Sequence, residues 1–550
     1  KDKDNIFEGI DTTWNRIEGG KPIGEILQNV EKNFDFKNPS ASIPELVKAY
    51  NLIQNLKDSY WRNFKSDEIK KIISGCAGLY LEAVSNVQEA TPGSSISVNI
   101  EATNRSSIPI KLTGIATYPT NKSDITSFEL KNNVPHKETI ALQLPETTNY
   151  TFPYWLEKKG TLGMYRVDEQ ENIGIPDVIR AIKTVFLIEI NGTTIPFECN
   201  VVYKFNDDVL GEVYQPLDIV PIATSSLKEK VYIFNTEKSK TVTVKVKAGR
   251  DNINGKVQLE LPANWSVSPS EIPFSIDKKG EEVLAVFSVT PSKEISEVDI
   301  KSIVTINNQV FDKEKIDINY SHIYKQMILQ PATAKAIRLK IKTKNERIAY
   351  IMGAGDEIPK SLEQMGYQVQ IIKPEMISTS LLSNFDVVIT GIRAYNMVNT
   401  LAIKQKILMD FVKNGKTMIV QYNTLGDLVT DEIAPYKLKI SRDRVTDENA
   451  EVRFLAPNHP ILNYPNKITS EDFKGWTQEQ GLYYPNEWDS NFTPILSAND
   501  KGETPKDGAL MVAKYGKGNY IYTGLSFFRE LPAGVSGAFR LMANLIAIGK

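Results

Sequence analysis

Only three histidines (His136, His322, His459) and two cysteines (Cys76, Cys199) occur in 550 residues, and they share no mutual spacing. Hydrolytic metal sites draw several imidazole, thiolate or carboxylate ligands to one point, and acyl transfer pairs a Ser or Cys nucleophile with an imidazole base. The chain has little material for either, which points to binding and scaffolding modules rather than a self-sufficient enzyme. It also lacks an excess of one charge. Lys+Arg 65 against Asp+Glu 67 gives a formal net charge of -2, which argues against nucleic acid as a partner. No apolar run approaches the ~20 residues that cross a bilayer, so no transmembrane segment is expected. The chain opens Lys1-Asp2-Lys3-Asp4 without Met or a signal peptide, the pattern of a mature or truncated product with an N-terminal segment missing. Two cysteines in separate regions make no disulfide framework and suit a cytoplasm or a bacterial periplasm equally.

What is present changes period along the chain, and the changes predict a multidomain α+β protein. Residues 1–90 read as a helical domain. Ser42, followed by Ile43, Pro44 and Glu45, has a capping-box pattern, with Leu46, Val47, Tyr50 and Ile53 at helical spacing. A second helix is expected from Ser66, with Ile69, Ile72, Ile73, Cys76, Tyr80 and Ala83 along one face. Cys76 inside that stripe reads as a small core residue. At Thr91-Pro92-Gly93-Ser94-Ser95 the pattern turns to alternation. Residues 91–222 and 223–325 then predict two immunoglobulin-like β-sandwiches, with a hairpin of 184–190 and 193–203 about Asn191-Gly192. Residues 326–345 read as a linker.

From 346 to 550 strands alternate with helices: strand 347–352, helix 359–366, strands 367–372 and 385–390, helix 401–414 and strand 416–422. A hairpin about Gly516-Lys517-Gly518 and a helix including 539–548 follow. That order predicts a parallel α/β sheet, whose ligands bind beyond the carboxyl ends of the strands. Familiar motifs fail there. Gly353-Ala354-Gly355 lacks the third glycine of a dinucleotide fingerprint, Ile358 standing in its place. No cysteine occurs in 346–550, which removes glutaminase or cysteine-hydrolase chemistry. His459-Pro460 is followed by Ile461 and Leu462 where acidic ligands would be needed. A polar and aromatic set remains, all in expected loops: Asp356, Arg393, Tyr395, Asn423, Arg442, Arg444, Trp476, Glu479, Glu487, Trp488, Arg529 and Glu530. Arg with Trp or Tyr suits sugars and carboxylates. Ion pairing and rim packing of long loops account for the same residues.

Several separated motifs in one order carry a resemblance. They are Ile351-Met352-Gly353-Ala354-Gly355-Asp356-Glu357, Thr390-Gly391-Ile392-Arg393-Ala394-Tyr395-Asn396, Val420-Gln421-Tyr422-Asn423-Thr424, Ser441-Arg442-Asp443-Arg444-Val445-Thr446 and the stretch Gly524-Leu525-Ser526-Phe527-Phe528-Arg529-Glu530-Leu531-Pro532-Ala533-Gly534. With Pro153-Tyr154-Trp155-Leu156 and Gly211-Glu212-Val213-Tyr214-Gln215-Pro216-Leu217, the chain resembles the C-terminal part of large bacterial PIG-L (LmbE-like) deacetylases typical of Bacteroidota. The resemblance implies a C-terminal domain of flavodoxin-like, class I glutamine amidotransferase-like (ThuA-like) form without its nucleophile. It also implies a zinc-dependent N-acetyl-sugar deacetylase domain upstream, with a His-Pro-Asp-Asp motif that this chain does not contain. No catalytic or metal position carries over, and zinc is expected only in that missing domain. The expected role is therefore a non-catalytic accessory, scaffolding or glycan-targeting region, periplasmic or envelope-associated. Its partners would be the deacetylase domain or an envelope complex, and a glycan. The alternatives are an independent carbohydrate-binding protein and a hydrolase using Asp356, Glu487 or Glu530 as acid or base.

Overall fold

The computed structural model describes residues 7, 9–120, 122–161 and 163–549, so the Lys1-Asp2-Lys3-Asp4 opening lies outside the described residues. Three α-helices come first: Lys21–Lys32, Ile43–Gln54 and Ser59–Ala77. The third begins at Ser59, not Ser66, because Asp58 caps it by accepting a hydrogen bond from the Trp61 amide at 3.1 Å. Gly78, with φ +56, ends it. The expected capping box at Ser42 does not form. A 3₁₀ turn, Pro39–Ser42, runs directly into the next helix with Ser42 already helical, so its side chain makes no capping bond.

The stripe expected from Ile69 to Ala83 is broken in two. Ile69 and Ile73 are buried, Ile72 is half exposed, and Tyr80 and Ala83 belong to a strand, Tyr80–Ser85. That strand pairs antiparallel with Ser95–Thr103, so β-structure starts before residue 90. Its sheet runs Gly211–Pro216, Val202–Asp207, Tyr80–Ser85, Ser95–Thr103, His136–Gln143. A second sheet runs Thr193–Asn200, Lys183–Ile190, Ile110–Tyr118, Lys122–Glu129. Burial along Lys183–Ile190 alternates strictly, as a half-buried strand requires. Asn191 and Gly192 both have positive φ, which suits the tight turn of this hairpin. Ile43, Val47 and Ile73 of the helices share one core with Val98, Leu112, Phe186 and Ile188 of the sheets. Cys76 and Cys199 are both free and pack against that core. Burial pushes both thiols up, Cys199 to about 11, so neither is an activated nucleophile.

The next β-region packs a four-stranded sheet on a six-stranded one around Val242, Val244, Phe287, Ile300 and Val304. Residues 326–345 are not a linker. Gln326–Pro331 pairs with Lys313–Ile318, and Thr333–Arg338 lies between Val231–Phe234 and Ser296–Ile306. Its positions facing the sandwich core are Ala334 and Ala336, small residues on either side of Lys335, while Ile337 is buried in the core of the α/β domain, so the alternation carries little hydrophobic signal. Glu89 of the first β-region reaches Lys315 and, at 2.9 Å, Lys325 of the second. Burial opposes ionisation of Glu89, but these two charges outweigh it and hold the carboxyl at about 2.

An eight-stranded sheet forms the last part, in the order Gln368–Ile371, Arg347–Ile351, Val387–Thr390, Thr417–Gln421, Gly518–Thr523, Lys506–Tyr515, Phe492–Ala498, Arg453–Phe454. The first five strands are mutually parallel and the last three antiparallel. Val387–Thr390, Thr417–Gln421 and Gly518–Thr523 are buried at every position, as the central strands of a sheet covered on both faces should be. Helices Ile358–Gln364, Thr400–Lys413 and Ser536–Ala547 accompany them. Beyond the carboxyl ends of the parallel strands a separate ribbon pairs Leu438–Val445 with Gly481–Trp488, its register broken three times. The chain is thus a β-rich multidomain α/β protein.

Candidate functional site

The strand ends Ile351, Thr390 and Gln421 are neighbours across the sheet, and the loops after them interlock. Asp356, after the first, accepts from the Tyr350 hydroxyl at 2.8 Å and from the amides of Ile358 at 3.1 Å and Ile392 at 3.3 Å. Gln421 in turn donates to the Tyr350 hydroxyl at 2.9 Å. Burial pushes the Asp356 carboxyl up against the pull of these donors. Two glycines permit the packing: a Cβ on Gly353 would stand 2.1 Å from the Ile392 carbonyl, and one on Gly391 2.8 Å from the Asp356 carboxylate. Asp356 therefore ties one loop to the next.

Asn423 and Tyr395 behave similarly. The Asn423 side chain accepts from the Tyr395 amide at 2.8 Å and donates to the Gln421 carbonyl at 2.9 Å. The Tyr395 hydroxyl donates to Gln405 at 2.7 Å. Both residues are fully buried, so neither faces a ligand. Asn396 was not among the expected site residues, yet it holds the next loop at three points. It accepts from the Thr424 amide at 2.9 Å and donates to the carbonyls of Thr424 at 3.1 Å and Gly426 at 2.7 Å.

That loop forms one wall of a cavity of about 310 Å³, with Thr424, Leu425 and Gly426 on one side and Arg442, Arg444, Leu482 and Tyr483 of the ribbon on the other. Arg442 and Arg444 lie in the strand Leu438–Val445 rather than in a loop, and the two-residue spacing turns both to solvent. The Tyr483 ring stacks on Tyr422 with centroids 6.1 Å apart, and Tyr422 packs against Phe528 at 5.3 Å. Burial pushes the Tyr422 hydroxyl up, while the nearby Arg393 and Arg529 charges pull it down. Arg393 itself has φ +55, and its Nε is buried without a hydrogen-bond partner among the described residues. Arg529 pairs with Glu479 at 3.0 Å, donates to the Gln478 side chain and covers the Phe528 ring.

Other expected site residues serve the frame. Trp476 is buried, donates from its indole to the Asp472 carbonyl at 3.0 Å and stacks on Phe473. Glu530 is buried in the short helix Phe527–Glu530 and accepts from the Thr477 amide at 3.0 Å and the Ser526 hydroxyl at 3.3 Å. Burial pushes its carboxyl up to about 7. Glu487 and Trp488 are in the strand Gly481–Trp488, Glu487 exposed and paired with Lys437 and Lys439. His459 caps a short helix with its ring nitrogen. Among the described residues no three His, Cys, Asp or Glu side chains converge as a metal site. Tyr483, which lines the cavity, was missed; the signal was the aromatic pair Tyr483-Tyr484 in a polar, proline-flanked stretch.

No family profile and no curated protein matches the chain. Some solved structures align over parts of it. The Escherichia coli alpha-2-macroglobulin is 8% identical over 47% of this chain and 16% of its own, with a TM-score of 0.16. A Salmonella alpha-2-macroglobulin mutant is 8% identical over 48% of this chain and 16% of its own, with a TM-score of 0.17. A protein of unknown function from Porphyromonas gingivalis W83 is 11% identical over 47% of this chain and 99% of its own, with a TM-score of 0.15. At such TM-scores these likenesses carry no argument.

Proposed function

We propose that the chain is a non-catalytic accessory region that targets a PIG-L-type deacetylase to N-acetylated amino sugars or glycoconjugates, with the cavity beside Tyr483 as its saccharide site. The observation that carries this reading is the position of that cavity. It lies beyond the carboxyl ends of the parallel strands, where α/β sheets take ligands, and combines an aromatic face with guanidinium donors. The sheet supports a flavodoxin-like form for this domain, since its parallel strands run in the order second, first, third, fourth, fifth. Paired, mainly antiparallel sheets around one core in each of the two regions before it support the immunoglobulin-like reading. Catalysis by carboxylates is a poorer reading. Asp356, half-buried, and Glu530, buried, are held in hydrogen-bond networks of their own, and Glu487 is exposed among lysines.

Retention of the full chain on an array of N-acetylated oligosaccharides tests the proposal. Wild type is retained, and Tyr483→Ala loses most of the signal at an unchanged melting temperature. A wild-type chain that binds no saccharide overturns it.

A further inference from the structure

The cavity walls are one-sided in charge. Arg442 and Arg444 contribute two cations, and no carboxylate or amide side chain lines the space with them. Arg442 has no side-chain hydrogen bond or ion pair among the described residues, whereas Arg180, Arg529 and Arg540 all meet carboxylates. The acid between the two, Asp443, is turned away by the alternation of the strand and lies 3.7 Å from Lys506. Asp500 lies near enough to Arg444 to have its carboxyl held down in part by that charge. Its oxygens, however, already accept from the Thr446 amide and hydroxyl and the Asp447 amide.

The backbone is shaped to present these arginines. Ile440 pairs with Pro485 and the next pair is Asp443 with Tyr484, so Ser441 and Arg442 bulge out of the ladder. Bulges re-aim side chains, often beside functional sites. Tyr483 opposite has φ +53 inside a strand, a costly conformation for an aromatic residue. Arg442 and Arg444 stand roughly 7 Å apart along their strand, a spacing that lets two guanidinium groups close on one small anion. Guanidinium only donates, while a neutral sugar hydroxyl both donates and accepts. Neutral saccharides are better served by mixed walls with carboxylates and amides. Beyond the Thr424 and Tyr483 hydroxyls, the charged part of this wall only donates, which suits an acceptor-only group.

We infer that the saccharide recognised here carries an anionic group, a carboxylate or a phosphate, held between Arg442 and Arg444 with its ring against Tyr483. This rests on the glycan reading above and narrows it to acidic sugars. Calorimetric titration of the full chain compares four probes at low salt: neutral chitobiose, a glucuronate-containing N-acetylated disaccharide, N-acetylglucosamine 1-phosphate and inorganic phosphate. At least one acidic sugar should bind roughly tenfold or more tighter than chitobiose, the strength of a charge-assisted contact. High salt should shrink that preference. The tighter of the two acidic sugars identifies carboxylate or phosphate as the group. The variant R442Q/R444Q should lose the preference while K439Q, a charge change on the same strand outside the cavity, keeps it. Equal binding of chitobiose, or a preference that survives R442Q/R444Q, overturns the inference and leaves the glycan reading intact. Inorganic phosphate binding as tightly as the phosphosugar, with both disaccharides inert, leaves an anion site and overturns the glycan reading. Failure of all four probes overturns both.

Discussion

The β-rich part of the chain and the α/β domain put left-handed backbone on different residues. Up to residue 345 the described non-glycine positions with positive φ are Asn133, Asn191, Asn252, Asn307 and Asn308; beyond it they are Arg393, Asp427, Gln478 and Tyr483. Asparagine enters this region at little cost because its side chain bonds the local backbone, and it marks turns. Arg, Gln and Tyr have no such aid, and each costs roughly 1–2 kcal/mol there. All four of the latter are at or beside the cleft: Tyr483 lines it, Asp427 follows Gly426, Arg393 borders Tyr422, and Gln478 accepts from Arg529. In the β-rich part the conformation makes turns, within hairpins at Asn191 and at Asn307-Asn308 and between sheets at Asn133 and Asn252. In the α/β domain it holds side chains in places their own preferences would not choose, which is where ligand sites are built.

The largest test of this division is Trp476, a residue whose type suggests sugar stacking but whose ring is buried in the frame. Trp476→Ala should cost about 3–5 kcal/mol in chemical denaturation. A cost below about 1 kcal/mol would mean that the ring belongs to the surface and that frame and cleft are not separate. Next comes Glu530, whose carboxyl burial lifts from the ordinary 4.5 to about 7. Between those values the folded state binds the proton more tightly than the unfolded chain, so stability falls as pH rises from about 4.5 through 7. Glu530→Gln keeps an acceptor for the Thr477 amide, turns an NH2 donor toward the Ser526 hydroxyl and removes the ionisation. Denaturation at pH 5 and pH 8 should show wild type losing on the order of 2–3 kcal/mol more than the variant. Parallel pH profiles would put Glu530 in contact with solvent.

Much of the α/β domain was legible because its strands are continuous apolar runs and its helices have ordinary spacing: expected strand 416–422 is Thr417–Gln421, and expected helix 401–414 is Thr400–Lys413. Thr333–Arg338 was not, because its core face is two alanines. The strand ends are neighbours, as a parallel sheet predicts, yet the residue types there misled. Asp356, Tyr395 and Asn423 have the chemistry of ligands, but Asp356 and Asn423 satisfy backbone groups of the interlocked loops and the Tyr395 hydroxyl bonds the Gln405 side chain. Arg442 and Arg444 were singled out for their charge and expected in a loop, because the bulged ribbon that carries them pairs across an intervening stretch no local pattern spans. Tyr483 is set apart by its backbone conformation, which composition does not report.

The smallest effect compares glycine at two left-handed positions, Asn191 and Arg393. At Asn191 the native residue already suits the turn, so Asn191→Gly should change stability by less than about 0.5 kcal/mol and leave saccharide binding alone. At Arg393 glycine removes the Cβ clash at φ +55 and a buried Nε without a hydrogen-bond partner, two gains that outweigh the added freedom of the unfolded chain. Arg393→Gly should therefore stabilise the domain by roughly 1 kcal/mol, and thermal melts of the two variants read the difference. The same variant removes a cation next to Tyr422, so saccharide affinity should fall as the melting temperature rises, the trade expected where a strained residue is kept for binding. A destabilised Arg393→Gly would make the guanidinium a structural strut and erase the contrast between the two regions at this position.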